Sequence, residues 1–213
     1  MHTYGRWAGI AVCAFGLIFT VLAQNGTASS AASSATGSKS AAPAVTPDEE
    51  AQLYRHGVLG FRYQIPYGWV NRTKEMRAGN DGGKGDVLLA VFEHPPEVTG
   101  DGINSAVVIA VESAAAYPRL KTVEDYVGPL TELVTAKGFK PDGDVYTVEV
   151  ESRHLLRADF VKPRGVKLTM HQCTLAMLTK GQIVSFTFVA GSDEEIDELM
   201  DGLHFGAAKS SAH

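Results

Sequence analysis

The stretch from Val166 to Leu203 shows a hydrophobic pattern typical of two strands, followed by one typical of a helix. Residues 166–179 are rich in strand-forming types, Lys180 and Gly181 are typical of a tight turn, and residues 182–190 are strand-like again. The apolar residues of one parity in the second segment are Val184, Phe186 and Phe188. A period of two with one apolar face is typical of a half-buried strand, so this stretch predicts a long β-hairpin.

A helix is predicted directly after this hairpin. Gly191 ends the strand pattern, and Ser192 with Glu195 three residues later matches a capping box. The apolar residues that follow at helical spacing are Ile196, Leu199, Met200 and Leu203. Such a stripe must be covered by apolar surface, and we expect the hairpin to provide it.

Five further strands are predicted at residues 61–65, 87–92, 106–111, 146–150 and 155–161. The runs at 87–92 and 106–111 are apolar at every position, which is typical of strands that are covered on both faces. Most of the predicted strands are joined by short hairpin connections, which indicates an antiparallel sheet.

Two more helices complete the pattern. One is predicted from Thr122 to Lys137, with Pro129 expected to kink or divide it, and a short one is predicted from Thr46 onward. Helices on both sides of hairpin-linked strands predict the fold class α+β, an α/β/α sandwich around a mostly antiparallel β-sheet.

The N-terminal region is predicted to be a targeting segment and a linker. Residues 1–23 contain Arg6 and then an apolar run of signal-peptide length, with Ala23 and Gln24 at the expected cleavage site. An uncleaved N-terminal membrane anchor is the alternative. Residues 24–47 are a Ser/Ala-rich segment expected to be disordered, residues 48–207 form one domain, and residues 208–213 are expected to be a disordered tail. The chain is therefore predicted to be exported, to the periplasm or outside the cell.

Charge limits the classes of partner that the chain is expected to bind, and cysteine content limits its disulfide bonds. The chain has 19 basic and 24 acidic residues, and removal of the segment with Arg6 would leave 18 against 24, a net charge of −6. This balance argues against a nucleic-acid or anionic-membrane partner, which would require a basic patch. Membrane contact is expected only through the N-terminal segment, if that segment is uncleaved. Cys173 would then be the one remaining cysteine, so no intramolecular disulfide is expected.

One aromatic segment resembles a known family. Residues 61–69 end in Pro66-Tyr67-Gly68-Trp69, a later helix ends in Lys137-Gly138-Phe139, and the return strand spans Ile183 to Phe188. This order resembles exported bacterial proteins of the PsbP-like (Mog/PsbP) family over about Leu53 to Phe205. The resemblance implies an α/β/α sandwich. It implies no reaction, because members of the family serve as binding modules, and it transfers no catalytic residue.

Three aromatic residues are the candidate binding site: Tyr63, Tyr67 and Trp69. Tyrosine and tryptophan are enriched in interfaces, so these side chains are predicted to line a binding surface. The same residues also suit a role as core and lid of the sheet, which is the alternative.

A metal site is the second hypothesis. His171 and Cys173 are two residues apart on a predicted strand and share a face, with His154 as the nearest further ligand. A change of apolar parity along this strand predicts a β-bulge near His171 to Thr174. The alternative is a buried cysteine beside a half-exposed histidine. On the neighbouring strand, Arg157 and Asp159 share a face and are expected to pair with each other.

No catalytic residue is predicted, because the sequence has neither a Gly-x-Ser-x-Gly nor a His-Glu-x-x-His segment. No cofactor is implied either. We therefore expect an exported, non-catalytic binding module that acts through a surface on an envelope protein or a small ligand. The alternative is a metal-binding protein or enzyme built around His171 and Cys173.

Overall fold

The structure is a computed structural model, and it describes residues 52–79, 85–98, 100 and 102–206. The predicted signal peptide, linker, C-terminal tail and short helix after Thr46 lie outside these residues. The boundaries 48–207 of the domain stay a prediction.

The described residues form two antiparallel sheets. The small sheet has the order β1-β2-β11, with β1 Leu53–His56, β2 Phe61–Gln64 and β11 Leu203–Phe205. The strands of the large sheet are β3 Val70–Asn71, β4 Gly85–Phe92, β5 Ala106–Ser113, β6 Lys140–Pro141, β7 Tyr146–Val150, β8 Arg153–Arg164, β9 Leu168–Thr179 and β10 Gln182–Ala190. Its order is β3-β4-β5-β10-β9-β8-β6, and β7 also pairs with β8.

Three α-helices and two short 3₁₀ turns lie between the strands of the described chain. The helices are α1 Thr73–Ala78, α2 Val127–Ala136 and α3 Asp193–Met200, and the 3₁₀ turns are Ala114–Ala116 and Glu124–Tyr126. A mostly antiparallel sheet with a few helices confirms the predicted α+β fold class.

The predicted hairpin is confirmed as β9 and β10, which pair in continuous register from Gln182↔Thr179 to Ala190↔His171. Lys180 and Gly181 both have positive φ angles, 50° and 72°. This combination is the one that a two-residue type I′ turn requires, and its twist matches that of the strands.

The two faces of the large sheet are covered by different elements. On the front face, which carries Phe186 and Phe188, the small sheet and α3 cover the core through residues such as Phe61, Tyr63 and Ile196. The back face carries Leu156, Ala158 and Ile183, and α2 packs there through Leu130 and Val134. Met76 of α1 covers a separate part of the back face, over Ala90 and Phe92.

The helix α3 begins as predicted and ends earlier. The Ser192 hydroxyl accepts a hydrogen bond from the Glu195 amide at 3.2 Å, and the Glu195 carboxylate accepts one from the Gly191 amide at 3.0 Å. The helix ends at Met200, and Leu203 lies in β11 opposite Tyr63. Leu203 was therefore wrongly predicted to lie on the helical stripe.

The strand β1, which pairs with β2, was not predicted. Two other local predictions are corrected. Pro129 is the third residue of α2, where a backbone N–H has no intrahelical partner, so it neither kinks nor divides the helix. No bulge occurs between His171 and Thr174, because β9 pairs there in register with both neighbours. The parity changes because Leu175 is covered on the front face and Met170 on the back face.

Candidate functional site

The three predicted aromatic residues do not share one surface. Tyr63 is fully buried, and its hydroxyl donates to the carbonyl oxygen of Leu199 at 3.1 Å. Trp69 is half-buried and packs against the core below the small sheet. Tyr67 stands out from the turn and is 87% exposed. Tyr63 is therefore a core residue, whereas a binding role for Tyr67 and Trp69 stays a prediction.

Cys173 lies in the core of the front face. Its Sγ atom is 3.8 Å from the Sδ atom of Met200, and Asp159 is its partner in the ladder of β8 and β9. Burial and the nearby Asp159 carboxylate raise the pKa of the Cys173 thiol well above its usual value. Since a metal ligand must be a thiolate, this environment does not favour metal binding.

The two predicted histidine ligands lie on opposite faces and far apart. His171 is on the front face with its Nδ1 atom 2.7 Å from Oδ1 of Asp193, at the start of α3. His154 shares the parity of Leu156 and faces the back. Val161 is the ladder partner of His171, so His154 lies seven residues further along β8. This spacing is about 23 Å at the rise of a β-strand.

The structure therefore does not bring His154, His171 and Cys173 together. Across residues 52–79, 85–98, 100 and 102–206, no group of three or more His, Cys, Asp or Glu side chains is placed to hold a metal ion. The expected pair of Arg157 and Asp159 does form, with Nε and Oδ2 2.9 Å apart, and the same arginine lies 3.4 Å from Oδ1 of Asp197.

A buried carboxylate was not predicted from the sequence. Glu112, at the end of β5, is only 3% exposed and accepts hydrogen bonds from two tyrosine hydroxyls. Tyr126 donates to its Oε1 atom at 2.8 Å, and Tyr117 donates to its Oε2 atom. Gly85 of β4 lies opposite, where a Cβ atom would come within 2.6 Å of the Glu112 side chain. The cluster ties the segment before α2 to the back of the sheet.

A small polar cavity lies between this cluster and α2. It has a volume of about 30 Å³, and its polar lining includes Glu112, Gln172, Ser185 and Thr187. Sites for organic ligands usually measure about 300–1,000 Å³, whereas one water needs only about 10–15 Å³. The cavity therefore suits a few water molecules, and its polar groups explain why Ser185 and Thr187 face the covered side of β10.

The hairpin of β8 and β9 projects beyond the rest of the sheet. β10 stops pairing at His171, whereas β8 and β9 continue through three more pairs to Arg164↔Leu168. We call residues 164–168 the hairpin tip. Val166 at its turn is fully exposed, and Leu168 is exposed beside it. The base of this arm is held by Lys162, whose Nζ atom donates to the Lys137 carbonyl oxygen at 2.6 Å.

Three cations surround the hairpin tip. Arg164 and Lys167 belong to it, and Lys140 lies opposite Val161, three residues from Arg164 along β8. None of these three cations forms a salt bridge within the described part of the chain. The tip thus presents apolar side chains beside positive charges that are not paired with any acidic side chain of the described ranges.

Other exposed apolar residues lie at the same end of the large sheet, which we call the distal end. Backbone pairing joins the strands at this end: His171 pairs with Ala190, Val189 with Ala106, Ala106 with Phe92, and Phe92 with Val70. Tyr67 lies in the turn just before Val70, and Val98, 57% exposed, lies in the loop between Phe92 and Ala106. The distal end therefore carries Tyr67, Val98 and the hairpin tip.

Helices of the described residues offer no membrane span, since none is long and apolar enough to cross a bilayer. Neither a protein-family model nor a curated protein matches the sequence.

Solved structures with a similar fold were found. The solution structure of cyanobacterial PsbP (CyanoP) from Synechocystis has a TM-score of 0.48 at 14% identity, covering 72% of this chain and 91% of that one. The Ran-binding protein Mog1p from Saccharomyces cerevisiae has a TM-score of 0.44 at 8% identity, covering 72% and 94%. LpqN from Mycobacterium tuberculosis, described as involved in cell envelope biogenesis, has a TM-score of 0.39 at 14% identity, covering 70% and 83%.

At these identities the likeness concerns the fold alone, and export of this chain stays a prediction. The structures found include PsbP and Mog1p, the kinds of protein that the sequence was predicted to resemble.

Proposed function

We propose that this chain is an exported, non-catalytic interaction module that binds a partner in the cell envelope through its distal end. One observation carries the proposal: Tyr67, Val98, Val166 and Leu168 are exposed apolar residues from three separate segments, and the fold places all of them at one end of the sheet.

Single exposed apolar side chains are common on protein surfaces and need no functional explanation. The distal end differs because its apolar residues occur together with cations that form no salt bridge with the other described residues. Neither feature contributes to the core. The Val166 side chain in particular is fully exposed, so it contributes no packing to the domain.

The hairpin tip is also anchored, because the base of its arm packs against the rest of the domain. Met170 packs into the core at the base of the arm, and Lys162 lies 5.4 Å from the centre of the Phe139 ring. Because the arm is anchored at its base, binding at the tip would cost less conformational entropy than binding by a free loop.

The proposal is tested by site-specific photo-crosslinking of the full chain in its source cells. A photoreactive phenylalanine analogue would replace Val166 or Tyr67, and Val58 would serve as the matched control. Val58 is 68% exposed but lies at the opposite end of the sheet, where its carbonyl oxygen accepts a hydrogen bond from Lys180.

We expect crosslinks to protein or lipid from positions 166 and 67 and few from position 58. Equal crosslinking from all three positions, or none from 166 and 67, would contradict the proposal. Crosslinks from position 67 alone would place the contact on the predicted aromatic surface without the hairpin tip.

A further inference from the structure

We propose that the partner of the distal end is an anionic lipid surface, on which the hairpin tip inserts Val166 and Leu168 while Arg164 and Lys167 bind headgroup phosphates. This inference rests on the proposed function and names the partner of the same site. Its basis is the direction in which the chain enters the domain, the shape of the arm and its local charge.

The described chain enters the domain on the side of the distal end. Ring contacts between Phe61 and Phe186, 5.0 Å, and between Tyr63 and Phe188, 6.3 Å, show that β2 runs in the same direction as β10, towards the distal end. Leu53, the first residue of β1, pairs with Gln64 at the end of β2. A chain that left the membrane before Leu53 would therefore reach the domain from the side on which the hairpin tip projects.

The shape of the arm fits a soft, flat surface. The tip is convex and narrow, with an exposed valine at its turn and a basic residue on each strand side. Shallow insertion of apolar side chains with cations at headgroup level is how peripheral proteins bind bilayer interfaces. Tyr67 at the opposite edge of the distal end adds an amphipathic ring of the kind that is enriched at this depth.

Local charge outweighs the net charge of the chain in this contact. An excess of acidic residues argues against anionic membranes only when the charges are evenly spread, because charges beyond about 8–10 Å are screened at physiological salt. Two acidic groups of the distal end lie beside basic partners: Asp193 is 2.7 Å from His171, and Glu97 is 3.0 Å from Arg72. The cations of the tip are therefore the charged groups that would first contact a membrane surface.

Attraction to anionic lipid changes the binding constant by about five-fold for each lysine or arginine near the surface. Replacing Arg164→Gln together with Lys167→Gln should thus weaken binding by about 25-fold. Arg119→Gln with Lys121→Gln is the matched control. It removes the same charge from an exposed loop beyond Ser113, which pairs with Gln182 at the opposite end of the sheet.

The test uses the full chain with Cys13→Ser, reconstituted into phosphatidylcholine vesicles with or without phosphatidylglycerol. An environment-sensitive nitrobenzoxadiazole label is attached at Val166→Cys, or at Val58→Cys as control. The buried Cys173 is not expected to react. We expect a blue shift of the label at 166 only in vesicles with phosphatidylglycerol, weakened by salt and by the Arg164 and Lys167 substitutions.

Equal shifts at 166 and 58 would show general adsorption and overturn the inference. Without a shift at 166, crosslinks in cells from 166 to a protein would overturn the lipid partner and leave the proposed function intact. If position 166 gives neither a label shift in vesicles nor crosslinks in cells, both the lipid partner and the proposed function are overturned. A loss of binding in the Arg119 and Lys121 control as large as in the tip variant would also overturn the inference.

Discussion

The hydroxyl of Tyr63 donates a hydrogen bond to the carbonyl oxygen of Leu199 at 3.1 Å, which joins the small sheet to the end of α3. The two residues are 136 positions apart in the sequence. The bond is buried, so neither group can exchange its partner for water. The Tyr63 hydroxyl is a second donor to this carbonyl oxygen, which also accepts a hydrogen bond from the Gly202 amide at 3.3 Å.

Replacing Tyr63→Phe should therefore destabilise the domain by about 0.5–1.5 kcal/mol, because a buried hydrogen bond is lost while the Leu199 carbonyl oxygen keeps the Gly202 amide as a partner at 3.3 Å. Urea unfolding followed by far-ultraviolet circular dichroism measures the loss. Tyr146→Phe is the control, since Tyr146 is exposed. An unchanged unfolding midpoint for Tyr63→Phe would contradict the role of the bond.

The same side chain predicts a dependence on pH. Burial raises the pKa of the Tyr63 hydroxyl well above its usual value near 10. The folded chain keeps the phenol neutral where the unfolded chain ionises it, so this stabilisation is complete below about pH 10 and is lost as the pH rises further. The stability difference between the natural chain and Tyr63→Phe should thus narrow above about pH 10. A constant difference up to about pH 11 would contradict this account.

The buried Glu112 should control how firmly the segment before α2 is held. Tyr126→Phe removes a hydroxyl that donates to its carboxylate at 2.8 Å and should cost about 1–3 kcal/mol. Amide hydrogen exchange would show faster exchange in residues 124–136 than in the natural chain. Unchanged protection there would show that the apolar contacts of α2 suffice without the cluster.

Patterns that depend on near neighbours were predicted well. The turn at Lys180 and Gly181 and the cap at Ser192 each involve residues within four positions of one another, so the sequence alone carries the information. The small sheet was not predicted, because β11 pairs with β2 across most of the domain sequence. Leu203, the first residue of β11, was instead assigned to the preceding helix.

The candidate site depended on long-range register. Tyr67 was predicted as a binding residue, but its relation to Val98 and Val166 follows from ladders that run across five neighbouring strands. Net charge also concealed the basic tip, since a sum over the chain does not show where charges lie. Periodicity could not place His154 and His171 on opposite faces, because that required the register of β8 against β9.

Cys173 should be unreactive in the folded chain. Its thiol is buried, and its raised pKa keeps it protonated, whereas the thiolate is the nucleophile. We expect negligible reaction with a maleimide in native buffer and complete reaction in denaturant, measured by intact-mass spectrometry on the Cys13→Ser chain. Rapid labelling under native conditions would show that the front face opens at α3, where Met200 contacts the sulfur atom.

The close approach of α3 and the small sheet predicts unequal effects for two glycine substitutions. A Cβ atom at Gly202 would lie 2.9 Å from the Gln64 carbonyl oxygen and 3.0 Å from the Tyr63 ring, whereas one at Gly128 would meet no atom within 4 Å outside its chain neighbours and its own helix backbone. Gly202→Ala should therefore destabilise the domain by about 1–3 kcal/mol, as overpacking does.

Gly128→Ala is the matched control for this prediction. Gly128 lies within α2, where alanine loses less conformational entropy than glycine, but it precedes Pro129, whose ring disfavours helical geometry for a residue with a Cβ atom. The two effects oppose each other, so this change should alter stability by less than about 1 kcal/mol. Thermal unfolding of both variants by circular dichroism measures the two effects. If Gly202→Ala were as stable as the natural chain, the backbone of the α3–β11 connection would have to move away from β2. The pairing of Leu203 with Tyr63 would then be looser than the structure shows.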